Sequence, residues 1–337
     1  MPAPLIESDI VAYSESRAYP TIGVILLGGI SDKIKRMPMH TSAGFAYAGL
    51  EEEISVSTRV FVNRSRPFGF LNGEEVKYSA TGRSPFVILN HYKDRIIKNL
   101  DLGKEKDLSI SFRSQNFGVL SGSSDAGAAA LGSSVQDMSG GIEDLISFEN
   151  ELRAISESVG RSLHGGLTVT WADGKYCRTE RLLGPEAFRE YAIIGCRFNV
   201  TRNPSDRIHE NVIHNKDYPK RIENTASKGK ELVKMAEDRD IKGIFDLAHK
   251  DTGEYHKLIE SAGVNVITPE MRKLMNLVDE MRKADWLSYI VTGGSNVFVV
   301  TEKGDLKDRL VDLREHCDSI SLLKVADKAE VTSKSYA

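Results

Sequence analysis

The chain has 337 residues, a formal net charge of −3 and 28% charged residues. This length suits one large domain or two fused ones, and the slightly acidic balance lacks the basic surface that binds nucleic acids. No apolar run of about 20 residues is present to span a membrane, and the N-terminus lacks a basic start and an apolar signal core. We therefore expect a cytoplasmic protein that binds neither nucleic acids nor membranes.

Strand-like and helix-like segments alternate irregularly in the first half of the chain. Residues 21–27 are apolar and β-branched and end at a glycine pair, which is typical of a buried strand that enters a turn. Residues 54–62 alternate apolar and polar side chains like a half-buried strand, and residues 85–100 are predicted to be helical. A further strand is predicted at 109–113, followed by a glycine- and serine-rich loop.

The stretch 142–163 has apolar residues at 3-4-3-4 spacing, which predicts one amphipathic helix that ends at Gly165 and Gly166. A spacing of four residues would place Glu157 and Arg161 on the same face of that helix. From the spacing alone, a solvent-exposed ion pair explains these two residues as well as a functional role does.

A hairpin is predicted over residues 167–183. Beyond it, the order of the predicted strands and helices changes. A strand is followed by charged helices, then by a strand pair, another helix and a last strand. The final residues, 327–337, are expected to be frayed. The charged helices are predicted over about 221–237, 241–261 and 268–284.

The change of pattern near residue 180 predicts a domain boundary. The N-terminal unit would run over 1–180 and the C-terminal unit over 181–337. Strands and helices follow each other without a regular strand–helix repeat, which indicates an α+β fold rather than a doubly wound one.

Glycine and serine residues crowd the loop before an alanine-rich helix. Small residues let backbone N–H groups approach a polyanion, and the start of the helix presents its positive end to phosphate. No Walker motif is present, so a tight helix start in a crowded core is nearly as good an interpretation. Asp125 could cap the helix or help to hold a metal ion, and capping is the expected role. The candidate residues for binding phosphate are Ser121, Gly122, Ser123 and Ser124.

Three segments resemble motifs of the GHMP kinase superfamily, in the expected order along the chain. SGSSDAGAAALGSS (121–134) is similar to the phosphate-binding second motif, and YIVTGGSNVFV (289–299) to the third. SESVGRSLHGGLTVTW (156–171) resembles a signature of the mevalonate diphosphate decarboxylases within that superfamily. The resemblance implies an α+β GHMP fold of two domains, with the active site in the cleft between them.

The chain departs from the decarboxylases at two charged positions. Those enzymes place an aspartate, a lysine and an arginine around the carboxylate and tertiary hydroxyl of the substrate, where this chain has Thr292, Leu26 and Arg161. Decarboxylation needs a tuned electrostatic site, whereas phosphoryl transfer depends on positioning, Mg²⁺ and charge stabilisation. This pattern looks like that of the mevalonate 3-kinases of thermoacidophilic archaea, which phosphorylate the 3-hydroxyl of mevalonate and stop. The resemblance is close over YPTIGVILLGGI (19–30), QNFGVLSGSSDAGAA (115–129) and RNPSDRIHEN (202–211).

This resemblance implies ATP, Mg²⁺ and (R)-mevalonate as ligands, in an archaeal isoprenoid pathway, and no dedicated metal-ligating side chains. A homodimer is expected. Arg161 is expected to bind the mevalonate carboxylate through its planar fork, and Glu157 to orient the 3-hydroxyl or act as its base. Arg202 is expected to face the far end of the substrate. Leu26 and Thr292 are expected to shape the substrate pocket.

Two other functions stay open at this point. One is a decarboxylase that acts on a phosphorylated mevalonate. The other is a non-catalytic GHMP homologue that binds a metabolite as a sensor, although the intact phosphate loop, Glu157 and Arg161 argue against it. ATP consumption would separate an enzyme from a sensor.

Overall fold

The structure of the protein, a computed structural model, describes residues 9–105, 107–200 and 205–336. Fourteen strands in two sheets and nine α-helices form this part of the chain. The strands are β1 (Ile10–Ala18), β2 (Thr21–Ile25), β3 (Ser42–Gly49), β4 (Ser55–Asn63), β5 (Gly69–Leu71), β6 (Glu74–Glu75), β7 (Ser109–Phe117), β8 (Leu167–Ala172), β9 (Cys177–Leu183), β10 (Tyr191–Arg197), β11 (Ser288–Val291), β12 (Asn296–Glu302), β13 (Ser319–Val325) and β14 (Glu330–Ser335). The helices are α1 (Pro85–Asn99), α2 (Ser123–Met138), α3 (Leu145–Leu152), α4 (Val159–His164), α5 (Ser205–Val212), α6 (Tyr218–Glu237), α7 (Ile241–Ser261), α8 (Pro269–Met281) and α9 (Leu306–Arg314).

The first sheet has six strands in the order β14-β1-β4-β7-β5-β6. Helices α1 and α2 pack on it, and their buried side chains share a core with residues of β1, β4 and β7. Helix α2 can lie close to the sheet because Ala126, Ala129 and Ala130 form part of its buried face. This close packing fixes where the first turn of α2 lies.

The last strand corrects one expectation. The final residues, expected to be frayed, form β14 and pair antiparallel with β1, with Tyr13 opposite Ser335. Nearly all side chains of β14 are exposed, so the segment lacks the apolar alternation by which a half-buried strand is recognised. Backbone hydrogen bonds to β1, rather than side-chain burial, hold β14 in place.

The second sheet has the order β11-β12-β10-β13-β3-β8-β9, and β2 also pairs with β3. Both faces are covered: along β10, Ile193 packs in the core beside α7, whereas Ile194 and Cys196 pack in the core beside α8 and α9. Burial on both faces explains why β10 is continuously apolar. Because β3 pairs with β13, strands from both sides of residue 180 share one sheet. The domain boundary near residue 180 therefore stays a prediction.

The helices with strong periodicity are confirmed. Helices α1, α6, α7 and α8 lie within a few residues of the predicted ranges. The hairpin of β8 and β9 is also confirmed. In the part of the chain that the structure describes, no helix is both long and apolar enough to cross a membrane.

The single helix predicted over 142–163 is wrong, because α3 and α4 are separated by a turn. Glu157 lies in that turn, so it does not share a helical face with Arg161. The buried Arg153 guanidinium donates to the Glu157 carbonyl oxygen at 2.6 Å, which satisfies this carbonyl outside a helix. The Ser156 hydroxyl also donates a hydrogen bond to Asp125 Oδ1 in α2. Such side-chain bonds compete with the helical pattern.

Candidate active site

A small cavity lies where the end of β2, the start of α2, α4, α5 and α7 meet. Its volume is about 110 Å³. Ser123 instead lines a neighbouring cavity, and Arg202 lies outside the described residues. The other residues singled out from the sequence line the cavity, namely Leu26, Ser121, Gly122, Ser124, Glu157, Arg161 and Thr292.

The start of α2 forms one wall of the cavity. Gly122 precedes the helix with φ +76°, a left-handed conformation that favours glycine. A Cβ at this position would lie 2.5 Å from the backbone nitrogen of Thr21, because β2 passes directly against the loop. Gly122 has no side chain to cap the helix, so the first N–H groups of α2 keep their capacity to bind a ligand. Together with the positive end of the helix dipole, this wall suits phosphate.

Gly122→Ala tests whether this wall of the cavity binds phosphate. The alanine must leave the left-handed conformation or displace Thr21, and either change moves the first turn of α2. We expect the KM for ATP to rise about tenfold or more and the free energy of unfolding to fall by about 1–2 kcal/mol. Gly253→Ala is the control, since a Cβ there meets no described atom within 4 Å apart from its neighbours on its own helix. Equal KM values for ATP in the two variants, measured by steady-state kinetics, would contradict a phosphate site at this wall.

A second cavity, of about 320 Å³, opens beside the same helix end. Much of its lining is apolar and includes Val76, Phe112 and Leu131. Ser124 lines both cavities, whereas Ser123 lines only the larger one. The two cavities therefore meet at the first turn of α2.

Arg161 supplies a buried positive charge to the smaller cavity. Its side chain passes Gly23 and Gly44, where a Cβ would approach Arg161 atoms to 3.5 and 2.8 Å. Its Nε and Nη2 atoms have no hydrogen-bond partner among the described residues. Burial lowers the pKa of the Arg161 guanidinium, while Asp125 and Glu157 act in the opposite direction. Two adjacent unpaired N–H groups on a buried guanidinium are the arrangement that binds a carboxylate side-on.

Both carboxylate oxygens of Glu157 are hydrogen-bonded. Its Oε2 accepts a hydrogen bond from Arg36 Nε at 2.9 Å, and its Oε1 lies 3.0 Å from His209 Nε2. Because His209 Nδ1 accepts the N–H of Gly29, the histidine proton lies on Nε2 and is donated to Glu157. Burial raises the pKa of Glu157, but the His209 hydrogen bond and the Arg36 charge outweigh it and hold this pKa well below 4.5. Of the two expected roles, the geometry favours an orienting acceptor over a base.

A buried ion cluster on α6 and α7 fixes the backbone at Leu26. The Leu26 N–H donates to Asp251 Oδ2 at 2.8 Å, and its carbonyl oxygen accepts from Arg221 Nη2 at 2.7 Å. Asp251 also pairs with Arg221 at 2.6 Å and with Lys228 at 2.7 Å. The two cations are thus paired with Asp251, and the side chain that Leu26 presents to the cavity is apolar.

Thr292 contributes a second uncharged wall. Its hydroxyl oxygen lies 3.2 Å from the hydroxyl oxygen of Ser121, in the phosphate loop. The cavity is therefore neutral at both positions where the decarboxylases are expected to carry a charged side chain.

Comparisons with known proteins decide the family. Residues 18–181 match the family described as diphosphomevalonate decarboxylase-like N-terminal domain, and residues 203–307 match the mevalonate-3-kinase C-terminal domain. The mevalonate-3-kinase of Picrophilus torridus is 47% identical over 96% of this chain and 98% of its own length. The mevalonate 3-kinase of Thermoplasma acidophilum is 45% identical over 88% of this chain and 91% of its own length. The chain belongs to the mevalonate-3-kinase family.

A solved structure from the mevalonate-3-kinase family has the same fold. The crystal structure of the Thermoplasma acidophilum enzyme with mevalonate 3-phosphate and ADP bound superposes with a TM-score of 0.88. The match covers 96% of this chain and 99% of that chain, at 41% identity. The predicted superfamily, the α+β GHMP fold and the kinase class are confirmed, whereas the roles of individual site residues stay predictions.

Several residues of this mevalonate-3-kinase cavity were missed from the sequence. Asp125 does not cap α2 as expected; it faces the cavity and accepts hydrogen bonds from the hydroxyls of Thr21 and Ser156. An acid where the GHMP motif usually has a small residue was the available signal. Arg36 and His209 come from a loop and from α5, and no local pattern indicates that they meet at the cavity. The residues missed from the sequence are His209, which lines the cavity, and Arg36, Arg221, Lys228 and Asp251, which hold groups around it.

Proposed function

We propose that the chain transfers the γ-phosphoryl group of ATP to the 3-hydroxyl of (R)-mevalonate, giving ADP and mevalonate 3-phosphate in archaeal isoprenoid biosynthesis. The observation that carries this proposal is the unpaired edge of Arg161, which shares one small cavity with the phosphate-binding end of α2. Thr292 and Leu26 support it, because uncharged side chains at these positions lack the electrostatics that decarboxylation needs.

The two cavities offer separate places for the two substrates. The mevalonate carboxylate binds side-on to Arg161, and Glu157 accepts a hydrogen bond from a substrate hydroxyl. ATP occupies the larger cavity, with its phosphates at the first turn of α2 near Ser123 and Ser124. The 3-hydroxyl oxygen then attacks the γ-phosphorus in line with the departing ADP oxygen. Arg202 is proposed to face the far end of mevalonate.

Mg²⁺ is proposed as the metal cofactor. The described residues include no group of three or more His, Cys, Asp or Glu side chains that could hold a metal. Mg²⁺ does not require such a group, because it keeps several waters and binds through substrate phosphates and one or two carboxylates. The Ser124 hydroxyl, where the two cavities meet, is the protein oxygen best placed for it. When bound, Mg²⁺ offsets the negative charge of the phosphates.

Mevalonate-dependent release of ADP tests the proposed activity. The purified protein with ATP and Mg²⁺ should release ADP when mevalonate is added and only a background amount without it. Release of ADP and carbon dioxide from mevalonate 5-diphosphate, with no turnover of mevalonate, would identify a decarboxylase instead. Binding of mevalonate without ADP release would identify a non-catalytic, metabolite-binding homologue.

Restoring the missing aspartate should not produce a decarboxylase. Thr292→Asp places a carboxylate near that of mevalonate, and like charges in a poorly hydrated cavity raise one pKa and weaken anion binding. We expect kinase activity to fall by about tenfold, without carbon dioxide release. Thr292→Asn, of the same size but uncharged, should retain more activity. Carbon dioxide formed by Thr292→Asp at the rate of its ADP release would contradict this account.

Adding the lysine as well should still give at most a trace of decarboxylation. Leu26→Lys with Thr292→Asp restores the charge balance. However, catalytic groups must lie within roughly 0.5 Å of productive geometry, and the surrounding residues here are packed around leucine and threonine. Headspace analysis of carbon dioxide, together with an assay of ADP, measures the amount of carbon dioxide formed per ADP released.

A homodimer in the cytoplasm is proposed as the working form. A mass of two chains by sedimentation equilibrium would support the dimer, and a mass of one chain would contradict it.

A further inference from the structure

The unpaired edge of Arg161 shares the smaller cavity with two carboxylates, and neither of them occupies it. Its Nε and Nη2 atoms have no hydrogen-bond partner among the described residues, although Glu157 and Asp125 line the same cavity. Burial lowers the pKa of Arg161, and the charges of Asp125 and Glu157 act against this lowering, so both carboxylates attract it. Asp125 is held in place by the hydroxyls of Thr21 and Ser156. Other contacts must hold Glu157.

The two carboxylate oxygens of Glu157 have different partners. Oε2 accepts a hydrogen bond from Arg36 Nε at 2.9 Å, and Arg36 Nη2 lies 2.8 Å from the same oxygen. Among the described side chains, Oε1 has one partner, His209 Nε2 at 3.0 Å. An ionised carboxylate offers about two acceptor positions on each oxygen. Oε2 is therefore directed at Arg36, whereas Oε1 has room for the hydroxyl of a substrate.

Arg36 reaches Glu157 from the loop between β2 and β3. In this loop the Ser31 N–H donates to the Met37 carbonyl oxygen at 2.9 Å, and the Arg36 N–H to the Asp32 carbonyl oxygen at 2.7 Å. Arg36 has φ +52°, a left-handed conformation that is uncommon outside glycine. Backbone strain of this kind persists where surrounding contacts hold it, and it clusters at functional sites. The side chain is only 4% exposed.

The same guanidinium also binds helix α5. Arg36 Nη2 donates to Asp206 Oδ1 at 2.8 Å, in the first turn of that helix. Helix α5 supplies Ile208 and His209 to the described lining of the smaller cavity, whereas Arg36 belongs to the described lining of neither cavity. Arg36 thus joins two parts of the cavity wall without being part of it.

We propose that Arg36 is a positioning residue for phosphoryl transfer. Its guanidinium holds Glu157 away from Arg161, so the Arg161 edge stays open for the mevalonate carboxylate. Glu157 Oε1 then accepts the hydrogen bond of the 3-hydroxyl, and Asp206 holds the guanidinium in place. This inference rests on the proposed kinase function. Without Arg36, Glu157 turns toward Arg161, which blocks the carboxylate site and displaces the acceptor of the hydroxyl.

Arg36→Met removes the guanidinium and retains a long side chain. We expect kcat to fall about 30-fold or more, because a displacement of about 1 Å can cost 10²-fold, and the KM for mevalonate to rise about tenfold. The KM for ATP should change by less than about threefold, since the first turn of α2 is intact. Arg64→Met is the control: it removes an exposed loop arginine, paired with Glu105 at 2.8 Å, and should change none of these constants. Thermal unfolding verifies that each variant is folded.

The same substitution in a Glu157→Gln background shows whether Arg36 acts through Glu157. Glutamine carries no charge that draws it to Arg161. Arg36→Met should therefore lower kcat by no more than about threefold in this background, and change the KM for mevalonate little. A role of Arg36 in folding alone would lower kcat by the same factor with Glu157 or with glutamine present.

Asp206→Asn is a milder variant that tests the outer contact. The Asp206 side chain is half-exposed, so this variant should fold even if Arg36→Met does not. Its kcat should fall about threefold to tenfold, and this loss should disappear in the Glu157→Gln background.

Two results would overturn the inference. One is a kcat of folded Arg36→Met within about threefold of the wild-type value. The other is an equal factor of loss in the two backgrounds, for Arg36→Met or, if that variant does not fold, for Asp206→Asn. Absence of mevalonate-dependent ADP release from the wild-type protein would overturn the proposed function instead.

Discussion

Arg161→Met is expected to lower kcat/KM for mevalonate by about 10³-fold, a loss of roughly 4 kcal/mol. The substrate carboxylate would still enter the cavity, but without the buried guanidinium edge that pairs with it, and an unpaired buried charge costs about 3–5 kcal/mol. The free protein should lose no stability, because Arg161 Nε and Nη2 have no partner among the described residues to forfeit. Steady-state kinetics and thermal unfolding on the same preparations measure both effects.

Two further variants separate charge from geometry. Arg161→Lys keeps the positive charge but loses the planar fork, so its loss of kcat/KM should be intermediate. Arg178→Met removes a half-exposed arginine paired with Glu180 at 3.1 Å, and should leave kcat/KM and stability nearly unchanged. A wild-type kcat/KM in Arg161→Met would mean that the carboxylate binds elsewhere.

Asp251→Asn is expected to lower the free energy of unfolding by about 3–5 kcal/mol. The change leaves Arg221 buried without its counter-charge and weakens the acceptor of the Leu26 N–H. Lys228 keeps one partner, the half-exposed Glu254 at 2.6 Å, which limits the loss. Urea unfolding at neutral pH measures this difference in stability.

Asp246→Asn is the matched control, because it makes the same change on the same helix. The Asp246 side chain is 44% exposed and pairs with Arg282 at 3.1 Å, so its loss should cost no more than about 1 kcal/mol. If both variants lost the same free energy of unfolding, the buried Asp251 cluster would contribute no more to stability than the exposed Asp246 pair does.

At low pH, Asp251→Asn and the wild-type protein should have the same free energy of unfolding. Burial raises the pKa of Asp251, but the charges of Arg221 and Lys228 outweigh it and hold this pKa below 3.8. The stability that Asp251 contributes is therefore present above about pH 3.8, and is lost as the pH falls through the pKa of the folded state. A difference in unfolding free energy that stays constant as the pH falls below 3.8 and through the acid unfolding range would contradict the assignment.

The parts of the fold that sequence predicted best are those in which burial follows a strong local period. Helix α7 buries a regular apolar face, and its observed bounds, Ile241–Ser261, coincide with the predicted range. The turn before α2 was recognisable from its crowded glycine and serine residues, and the structure gives Gly122 a left-handed φ and a close backbone neighbour; that the loop binds phosphate stays a prediction. Arg161 was identified through its family motif, and the structure places it in the cavity.

The errors arose where distant contacts override local pattern. The apolar spacing of 142–163 is real, but in the turn between α3 and α4 the Ser156 hydroxyl donates to Asp125, 31 residues earlier in the chain. Strand β14 has no apolar signal, because its order comes from pairing with a strand over 300 residues earlier in the chain. The approach of Arg36 and His209 to Glu157 depends on how a loop and α5 pack, which no spacing within either segment encodes.

The position of the new phosphate ester tests the central claim most directly. The protein is incubated with ATP, Mg²⁺ and mevalonate labelled with ¹³C in its carboxylate, and followed by proton-coupled ³¹P NMR and ¹³C NMR. Carbon 3 bears no hydrogen, so a 3-phosphate should give a new phosphorus signal without proton splitting, one equivalent per ADP, and no labelled carbon dioxide. A triplet, which a phosphate on the CH₂ of carbon 5 gives, or labelled carbon dioxide in proportion to ADP, would contradict the account.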